Sequence, residues 1–366
     1  MKFTIQREVF LQPLSQVVGV VERRQTLPVL ANFLLVARDG RLSVTGTDME
    51  VELISSVDAD ISQDGEITVP ARKLVDIVRA LPDGSKINFS LKDEKATISA
   101  SRSRFTLATL PAAEFPATDH IETLEDVVLE ESALKTLLDK TSFAMANQDV
   151  RYYLNGLLMD FRGNKLRTVA TDGHRLAVCD LEKDISVSQE RQLIVPRKGV
   201  MELSRMLDGD EGTVSLALGR NHIRLVKGRT TFTSKLIDGR FPDYEAVIPV
   251  GADRQILVDK ETFIRALQRA AILSNEKYRG VRLEAANGTL KILAHNPQHE
   301  EAVEEIEAEM NFDQLAVGFN VTYLLDALAA IDTETVSLEL KDANSSCLVS
   351  APDSDLNRHV VMPLKL

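Results

Sequence analysis

Cysteine is scarce in this sequence, which bears on both cross-linking and metal binding. Of 366 residues only Cys179 and Cys347 are cysteines, and they lie far apart in stretches that alternate between apolar and polar residues. We therefore expect buried or half-buried free thiols and no disulfide. The six histidines lack the spacing of metal ligands, which argues against a zinc site. Accordingly, we predict no metal and no cofactor.

Long apolar runs are also missing. No segment approaches the roughly 20 apolar residues that span a bilayer, so no membrane role is indicated. The amino terminus, Met1-Lys2-Phe3-Thr4-Ile5, alternates like a strand and lacks the basic and then apolar layout of a secretory signal. A hydrophobic content of 44% with 27% charged residues is typical of a globular protein. We expect this protein to stay in the cytoplasm.

Motifs of common enzyme classes are absent as well. The chain has no G-x-S-x-G nucleophile elbow, no G-x-x-x-x-G-K-[ST] phosphate loop, no H-E-x-x-H and no C-x-x-C. The most enzyme-like stretch is Thr171-Asp172-Gly173-His174-Arg175, in which Asp172 and His174 could transfer a proton. A hydrolase that uses these two residues is therefore one alternative.

What the sequence does contain is a threefold repeat. Positions that match at intervals of 124 residues are Leu42, Leu166 and Leu290, and Asp48, Asp172 and Asn296. These positions lie in three hairpin-like segments. A second block of sequence follows each segment, and the acidic residues of this block, Asp76, Glu202 and Asp326, are spaced by 126 and 124 residues. Because the period is much longer than that of a solenoid repeat, each copy can bury its own core. We predict three domains, over residues 1–122, 123–249 and 250–366.

Each copy is predicted to contain two helices and many short strands. The first helix is expected over residues 8–20, 132–145 and 260–273, with Ser132 as an N-cap. The second helix should begin just before Pro70 and Pro196 in the first two copies, and it should cover residues 320–331 in the third. Helices separated by groups of alternating strands indicate an α+β fold in which antiparallel sheets carry helices on one face.

The Asp172-Gly173 pair also has a structural interpretation. Asp-Gly between two alternating runs is typical of a type I′ hairpin turn. The matching positions in the other copies are Asp48-Met49 and Asn296-Pro297. A catalytic site does not need counterparts in three domains, so we favour a turn over a site of proton transfer.

The charge distribution is more informative than the total. A formal charge of −12, from 43 basic and 55 acidic residues, argues against a protein that coats nucleic acid. Basic residues nevertheless recur on the predicted helices or at their ends: Arg23, Arg24, Arg72, Lys73, Arg79, Arg151, Arg197, Lys198, Arg205, Arg265, Arg269, Lys277 and Arg279. A solvated helix face accounts for any one of them, whereas recurrence in three copies favours one shared surface.

Five runs carry a family resemblance: Gln148-Asp-Val-Arg-Tyr-Tyr, Ala170-Thr-Asp-Gly-His-Arg, Asp238-Gly-Arg-Phe-Pro-Asp-Tyr, Leu273-Ser-Asn-Glu-Lys-Tyr-Arg and Val360-Val-Met-Pro-Leu-Lys. They resemble the bacterial DNA sliding clamps, the beta subunits of the replicative DNA polymerase III, and the resemblance spans all three copies. It implies a processivity factor with no chemistry of its own.

The resemblance also implies how DNA is held. Two chains of three domains would meet head to tail as a homodimer and close a ring around duplex DNA, with sheets outside and helices lining the hole. Such binding is topological, so a negative total charge is no obstacle, and weak phosphate contacts without sequence readout permit sliding. The positions implied to contact DNA are Arg24, Arg72, Gln148, Tyr152, Tyr153, Arg197, Lys198, Arg205, Arg279 and Arg282.

The implied interface joins the first domain of one chain to the third domain of the other. Its expected residues are Arg102, Arg104, Phe105, Leu107, Ile272, Leu273, Glu300, Glu301 and Glu304. The four apolar residues of this set would anchor the interface, each contributing roughly 1.5–3 kcal/mol if fully buried.

A groove between the second and third domains is implied to bind short linear peptides. The implied partners are the polymerase alpha subunit, the clamp loader delta subunit, translesion and repair polymerases and mismatch-repair factors. The matching positions are Arg151, Leu154, Thr171, Gly173, His174, Arg175, Leu176, Pro242, Val247, Asn320, Tyr323, Ser346, Val360, Met362 and Leu364. Glu245-Ala246, Asn344 and Leu364 depart from the family pattern, which puts the ranking of partner peptides in doubt. A third alternative is a repeat scaffold that binds proteins but not DNA.

Overall fold

The structure is a computed structural model, and it describes residues 1–22, 27–116, 122–181, 185 and 187–365. Within those ranges no helix is both long and apolar enough to cross a bilayer. By its internal contacts the chain forms two compact units, Met1–Ser132 with Lys198–Leu236, and Ala133–Arg197 with Ile237–Leu366. The second copy of the repeat therefore contributes to both units.

The first copy begins with a strand that leads directly into a helix. Its helices are α1 (Arg7–Val17) and α2 (Ala71–Ala80). Its strands are β1 (Lys2–Gln6), β2 (Asn32–Arg38), β3 (Arg41–Thr47), β4 (Val51–Asp58), β5 (Asp60–Gln63), β6 (Gly65–Pro70), β7 (Lys86–Lys92), β8 (Lys95–Ala100) and β9 (Ser103–Ala108). Phe10, Leu14 and Val17, at spacings of four and three, give α1 one buried face.

The second copy repeats this order. Its helices are α3 (Glu131–Asp139) and α4 (Arg197–Met206). Its strands are β10 (Thr123–Glu130), β11 (Gly156–Arg162), β12 (Lys165–Thr171), β13 (Arg175–Asp180), β14 (Arg191–Pro196), β15 (Thr213–Gly219), β16 (His222–Lys227) and β17 (Thr230–Lys235). The helix predicted over residues 132–145 is shorter than expected, because a separate 3-10 turn follows at Ser142–Ala144. Ser132 is not the N-cap, since β10 runs without a break into a helix that begins at Glu131.

The third copy has two helices with side-chain N-caps. They are α5 (Lys260–Ala271) and α6 (Val321–Ala329), and the side chains of Asp259 and Asn320 accept hydrogen bonds from N–H groups in their first turns. The strands are β18 (Arg254–Asp259), β19 (Gly280–Ala286), β20 (Thr289–His295), β21 (Glu301–Glu307), β22 (Glu309–Met310), β23 (Gln314–Asn320), β24 (Thr335–Leu340), β25 (Cys347–Ala351) and β26 (Ser354–Val361).

The first unit contains two antiparallel sheets. One has the order β5-β1-β7-β8-β9, and the other has the order β10-β15-β16-β17-β4-β3-β2-β6. The eight-stranded sheet joins two copies of the repeat, because β17 pairs with β4. Gly46 of β3 lies against α1, and a Cβ at this position would come within 2.7 Å of Val17 Cγ1. Glycine is required there by the close approach of helix and strand.

The second unit also contains two antiparallel sheets, with the orders β14-β11-β12-β13-β26-β25-β24-β18-β22 and β21-β20-β19-β23. Here the joining pair is β13 with β26. Phe263 and Leu267 of α5 share one apolar core with Leu324 and Leu328 of α6. The predicted α+β fold of antiparallel sheets and two helices per copy is confirmed.

Pro70 and Pro196 lie just before the second helices rather than inside them. Pro70 is the last residue of β6 and Pro196 the last of β14, and the helices begin at Ala71 and Arg197. Both strands are at the edges of their sheets. An edge strand tolerates proline because the missing N–H faces no neighbouring strand.

Both cysteines are buried free thiols, as predicted. Burial raises the pKa of the Cys179 thiol to about 11. It also raises the pKa of the Cys347 thiol, whose side chain lies within the core of the third copy. Thiols that stay protonated at neutral pH are poor nucleophiles.

Candidate functional sites

The turn between β12 and β13 is built around the carboxylate of Asp172. Oδ1 accepts hydrogen bonds from the backbone N–H groups of His174 at 2.9 Å and Arg175 at 3.0 Å. Oδ2 accepts one from Arg175 Nε at 3.2 Å. Of residues 172–174, all of which are described, Gly173 alone has a positive φ, at 87°. A type I′ turn needs two such residues, so that prediction is wrong, and the carboxylate instead holds a three-residue Asx turn.

The same turn recurs in the first copy, and a longer turn held by a side-chain oxygen follows β20 in the third. Asp48 Oδ1 accepts hydrogen bonds from two backbone N–H groups at 2.9 and 2.7 Å. Asn296 Oδ1 accepts two at 3.0 Å. The structural interpretation of these positions is confirmed in all three copies, and it explains Asp172 without proton transfer.

Arg175 connects this turn to α6. Its Nη1 donates to Asp326 Oδ2, and its Nη2 donates to the carbonyl of Phe143 at 2.8 Å. The guanidinium lies 4.6 Å from the centre of the Tyr323 ring, a cation–π distance. The His174 ring stacks on the same tyrosine at 6.5 Å. The predicted groove residues Arg175, His174 and Tyr323 are thus brought together.

A cleft of about 230 Å³ lies beside the turn in the second unit. Ten of the predicted groove residues line it: Arg151, Leu154, Thr171, Gly173, Arg175, Leu176, Pro242, Val247, Val360 and Met362. Leu154, Leu176 and Val360 are buried, whereas the Met362 side chain is 43% exposed at the rim. The cleft has the apolar floor and few polar side chains expected of a peptide site.

Tyr244 lines this cleft too, although it was not among the predicted groove residues. Its hydroxyl donates to Asp160 Oδ2 at 2.7 Å, and burial raises the pKa of the phenol to about 12. Arg162 and Arg167 lie within about 6 Å of the ring centre and both bind Glu245 Oε1, at 3.0 and 3.1 Å. Glu245 therefore ties this segment to the sheet. The run ending at Tyr244 was the signal that could have identified it.

Arg151 forms one wall of the cleft. Its guanidinium binds both carboxylate oxygens of Asp149 at 3.0 and 2.8 Å, and together with the Arg151 backbone N–H it lowers the pKa of Asp149 to about 2. Nη2 also donates to the Asp172 carbonyl at 3.2 Å. A Cβ at Gly173 would lie only 3.0 Å from this guanidinium. Glycine therefore serves both the turn and the cleft wall.

The remaining predicted groove residues lie outside this cleft. His174 and Tyr323 stack beside it, as described above. Asn320 caps α6, and Ser346 is half-buried just before β25. Leu364 donates its N–H to the Gly318 carbonyl at 2.7 Å and lines a different cleft.

Three predicted DNA contacts lie in the first unit. Arg72 is exposed on α2, and its Nη2 donates to the Val21 carbonyl at 2.9 Å. Lys198 on α4 is half-buried and binds Glu22 at 2.9 Å and Asp48 at 2.5 Å. Arg205 binds Glu202 at 2.8 Å. Burial raises the pKa of Glu202, and the Arg205 cation opposes that rise. Lys198 and Arg205 are therefore partly neutralised by neighbouring acids.

In the second unit, Gln148 and Tyr152 are exposed, and the Tyr152 and Tyr153 rings meet edge to face at 5.7 Å. Arg197 is half-buried and donates from Nη1 to the Met145 carbonyl at 3.0 Å. These assignments stay predictions. Arg24 lies outside the described residues.

Arg279 and Arg282 occupy different surroundings. Arg279 is half-buried and donates to the Ala271 carbonyl at 3.3 Å. Arg282 is an exposed residue of β19 that pairs with Glu284 at 2.8 Å. Because Val281 and Leu283 point into the core with α5, Arg282 lies on the opposite face of that sheet. A helix-lined DNA surface would not include that face, so the position of Arg282 does not support its predicted contact with DNA.

The predicted interface residues lie on two edge strands and one helix end. β9, with Arg102 just before it and Arg104, Phe105 and Leu107 within it, is the last strand of its sheet. β21, with Glu301 and Glu304, is the first strand of another, and Glu300 precedes it. Ile272, just beyond α5, is 76% exposed, and Leu273 follows it. Arg269 of α5 binds Glu304 at 2.6 Å and lowers the pKa of that carboxyl.

Three family models match the chain in succession. They are the N-terminal domain of the DNA polymerase III beta subunit over residues 1–119, its central domain over residues 128–243 and its C-terminal domain over residues 245–365. The order of these domains agrees with the order of the three copies.

Full-length relatives carry the same description. The chain is 54% identical to the Beta sliding clamp of Pseudomonas aeruginosa and 47% identical to that of Escherichia coli, with 100% of each chain covered. The crystal structure of the DNA polymerase III subunit beta from P. aeruginosa superposes with a TM-score of 0.95 at 53% identity. That of the Caulobacter crescentus clamp superposes with a TM-score of 0.92 at 37% identity, and both comparisons cover 100% of each chain.

These relatives are processivity factors and not enzymes, so the alternative of a hydrolase built on Asp172 and His174 is wrong. The alternative of a scaffold that does not bind DNA is wrong as well, since similarity to sliding clamps implies DNA and the polymerase as partners. The chain belongs to the bacterial beta sliding clamps, the processivity subunits of DNA polymerase III.

Proposed function

We propose that two copies of this chain form a head-to-tail ring that encircles duplex DNA in the cytoplasm and slides along it without reading its sequence. The three domains of each copy cover residues 1–122, 123–249 and 250–366. The ring tethers the polymerase alpha subunit, the clamp loader delta subunit, translesion and repair polymerases and mismatch-repair factors through short peptides. The observation that carries this proposal is the pairing of strands between successive copies of the repeat.

Two junctions within the chain follow one rule. The last strand of the second copy, β17, pairs with β4 of the first, and the last strand of the third copy, β26, pairs with β13 of the second. The corresponding last strand of the first copy is β9, and the strand of the third copy that corresponds to β4 and β13 is β21. Both end their sheets. A second copy of the chain can pair these two edges in the same way, which closes a ring.

The two junctions also supply a register. Leu53 pairs with Phe232 in one, and Ala177 pairs with His359 in the other. From one junction to the next, the first residue of the pair therefore moves by 124 positions along the sequence and the second by 127. The same intervals put Phe105 of one chain opposite Glu301 of the second chain, and Arg102 opposite Glu304. Arg102, just before β9, would then meet Glu304 of β21 and join the Arg269–Glu304 pair. Such surface pairs contribute about 0–1 kcal/mol each.

Apolar contacts would supply most of the interface energy. Ile272 is 76% exposed in the single chain, and Phe105 and Leu107 are only half-buried. We expect the double variant Ile272→Ala with Leu273→Ala to sediment as a monomer at high salt, where ion pairs are screened. Val250→Ala, at a residue that is 90% exposed, is the control and should leave the dimer intact. A double variant that remains dimeric at high salt would remove these residues from the interface.

The groove proposal rests on the cleft beside the Asp172 turn. Sliding clamps of P. aeruginosa and Bartonella birtlesii have been crystallised bound to griselimycin. We propose that griselimycin and partner peptides bind this chain at that cleft. Met362→Ala should weaken both in fluorescence anisotropy, and Met201→Ala is a matched control, since the two methionine side chains are 43% and 45% exposed. Unchanged affinity in the Met362 variant would exclude Met362 from the site.

The ring itself is tested by topology. The protein is loaded onto nicked circular DNA by its clamp loader with ATP, and the DNA is then linearised. A ring is retained on the circle and slides off the ends once the DNA is cut. Retention on linear DNA would indicate ordinary binding through phosphate contacts and contradict the proposal.

A further inference from the structure

A second cleft, of about 530 Å³, lies in the third copy of the repeat. Five residues that line it, Asn275, Tyr278, His295, Pro297 and His299, each lie 124 residues after a residue that lines the groove beside the Asp172 turn. In both clefts one wall is the turn. Another wall is the segment that precedes β11 in the second copy and β19 in the third. The second cleft is thus the repeat counterpart of the groove.

The chain that follows the last strand of each copy takes the same path in all three copies. After the last strand of the copy, a residue returns to the edge strand that precedes the second helix. Leu110 bonds to Thr68 through both backbone groups, and Ile237 donates its N–H to Ile194 at 2.8 Å. Leu364 donates to Gly318 at 2.7 Å. An extended chain beside this edge is therefore a regular feature of the repeat.

In two copies that extended chain delivers an aromatic side chain to an apolar cluster. Phe115 packs with Val29 and Leu30 in the first copy. Phe241 and Tyr244 pack in the cluster beneath the groove in the second. In the third copy the cleft is bordered instead by Leu364 and Lys365, and in the proposed ring Thr106 and Ala108 of the second chain would stand where Val360 and Met362 line the groove.

The chemistry of the second cleft differs from that of the groove. Its walls carry two imidazoles, from His295 and His299, and the ammonium of Lys365, and the lining has no carboxylate among the residues that the structure describes. Tyr278 is 55% exposed, and the Lys277 ammonium lies 5.1 Å from its ring centre. Such a site suits an aromatic ring that stacks on Tyr278 beside a carboxylate that pairs with a cation.

We propose that the second cleft is a further peptide site, which binds an extended segment of a partner protein that carries an aromatic residue next to an acidic one. This inference rests on the proposed function in one respect, namely that the groove beside the Asp172 turn binds peptides. The second cleft differs from that groove in its preference for acidic segments.

The probe is a fluorescent peptide with the sequence of residues 238–244, Asp-Gly-Arg-Phe-Pro-Asp-Tyr, whose two aromatic side chains pack in the apolar cluster beneath the groove. We expect saturable anisotropy with the full-length protein. Tyr278→Ala and Lys365→Glu should each weaken binding by about tenfold, and replacing the peptide's phenylalanine with alanine should do the same. Val128→Ala, at a residue of β10 that is 62% exposed and belongs to none of the proposed sites, is the control and should change nothing.

Two further measurements separate this site from its alternatives. Griselimycin binding in the Met362→Ala variant reports on the groove alone, so the groove assignment can fail while the response to Tyr278→Ala stands. The second site is overturned if the probe does not bind at millimolar concentration, if the Tyr278 variant binds it normally, or if griselimycin displaces it. It is also overturned if saturating probe splits the dimer in sedimentation, because the cleft would then be a seat for the second copy.

Discussion

The junction between β17 and β4 and the junction between β13 and β26 share one strand pairing but differ at a central residue. Phe232 occupies this position in the first unit, and His359 occupies it in the second. Both side chains are buried, with relative exposures of 0% and 1%. A buried phenyl ring therefore packs at the centre of one junction, and a buried imidazole at the centre of the other.

The imidazole is an unfavourable choice for this place. Neither Nδ1 nor Nε2 of His359 has a hydrogen-bond partner among the described residues, and the Phe143 ring lies 5.6 Å away. Burial, together with the nearby Lys140 ammonium, lowers the pKa of His359 to about 3. An unpaired buried polar group costs about 1–3 kcal/mol. The second unit therefore gives up stability at a place where the first does not.

The ion pairs beside the two junctions have opposite polarity. In the first unit the cation, Lys198, is on α4 and the anion, Asp48, is on the turn. In the second unit the cation, Arg175, is on the turn and the anion, Asp326, is on α6. A helix that met the wrong turn would bring like charges together, which favours correct pairing of the copies.

The largest expected effect comes from making the first junction resemble the second. Phe232→His should lower the free energy of unfolding by about 3 kcal/mol, because it removes buried hydrocarbon and leaves two unpaired nitrogens in the core. Urea denaturation followed by circular dichroism measures the change. Phe232→Leu, which loses volume but adds no polar atom, is the control and should cost about 1 kcal/mol. Equal losses in the two variants would show that polarity at this position is unimportant.

How far the sequence predicts such differences depends on the distance over which the contacts act. The repeat, the alternation of helices with groups of strands and the positions of the turns, though not the turn type, follow from local patterns that recur every 124 residues. The interval also locates most of the groove, because its turn and walls are sequence-local features. The partners of Tyr244 could not be predicted in this way, since Asp160 and Arg167 lie 84 and 77 residues away. Nor does the sequence show that Lys198 is half-buried between two acids rather than free to meet phosphate.

A smaller effect should appear when the pH is lowered. The pKa of His359 is about 3 in the folded protein and about 6.5 in an unfolded chain. Between these values the unfolded state binds more protons, so the stability contribution is complete above pH 6.5 and falls as the pH falls. We expect a loss of about 2 kcal/mol between pH 6.5 and pH 5 from this group.

His359→Phe should remove that loss, and it should raise stability at pH 7 by about 1 kcal/mol. Parallel urea titrations of the two proteins at each pH give the difference, in which the other titrating groups cancel. If both proteins lose stability in parallel between pH 6.5 and pH 5, His359 does not cause the acid sensitivity.

The smallest expected effect concerns the reversed ion pairs, because both are partly exposed to water. The Arg175 side chain is 13% exposed and its partner Asp326 35%, while Lys198 is 29% exposed. Arg175 also stacks on Tyr323 and binds the Phe143 carbonyl, so its fork is held in place. A double-mutant cycle of Arg175→Met with Asp326→Asn should give a coupling of about 1–2 kcal/mol, and one of Lys198→Met with Asp48→Asn about 0.5 kcal/mol. Equal couplings would mean that the two junctions differ only in the direction of their charges, and that the planar fork of arginine adds no strength to the second.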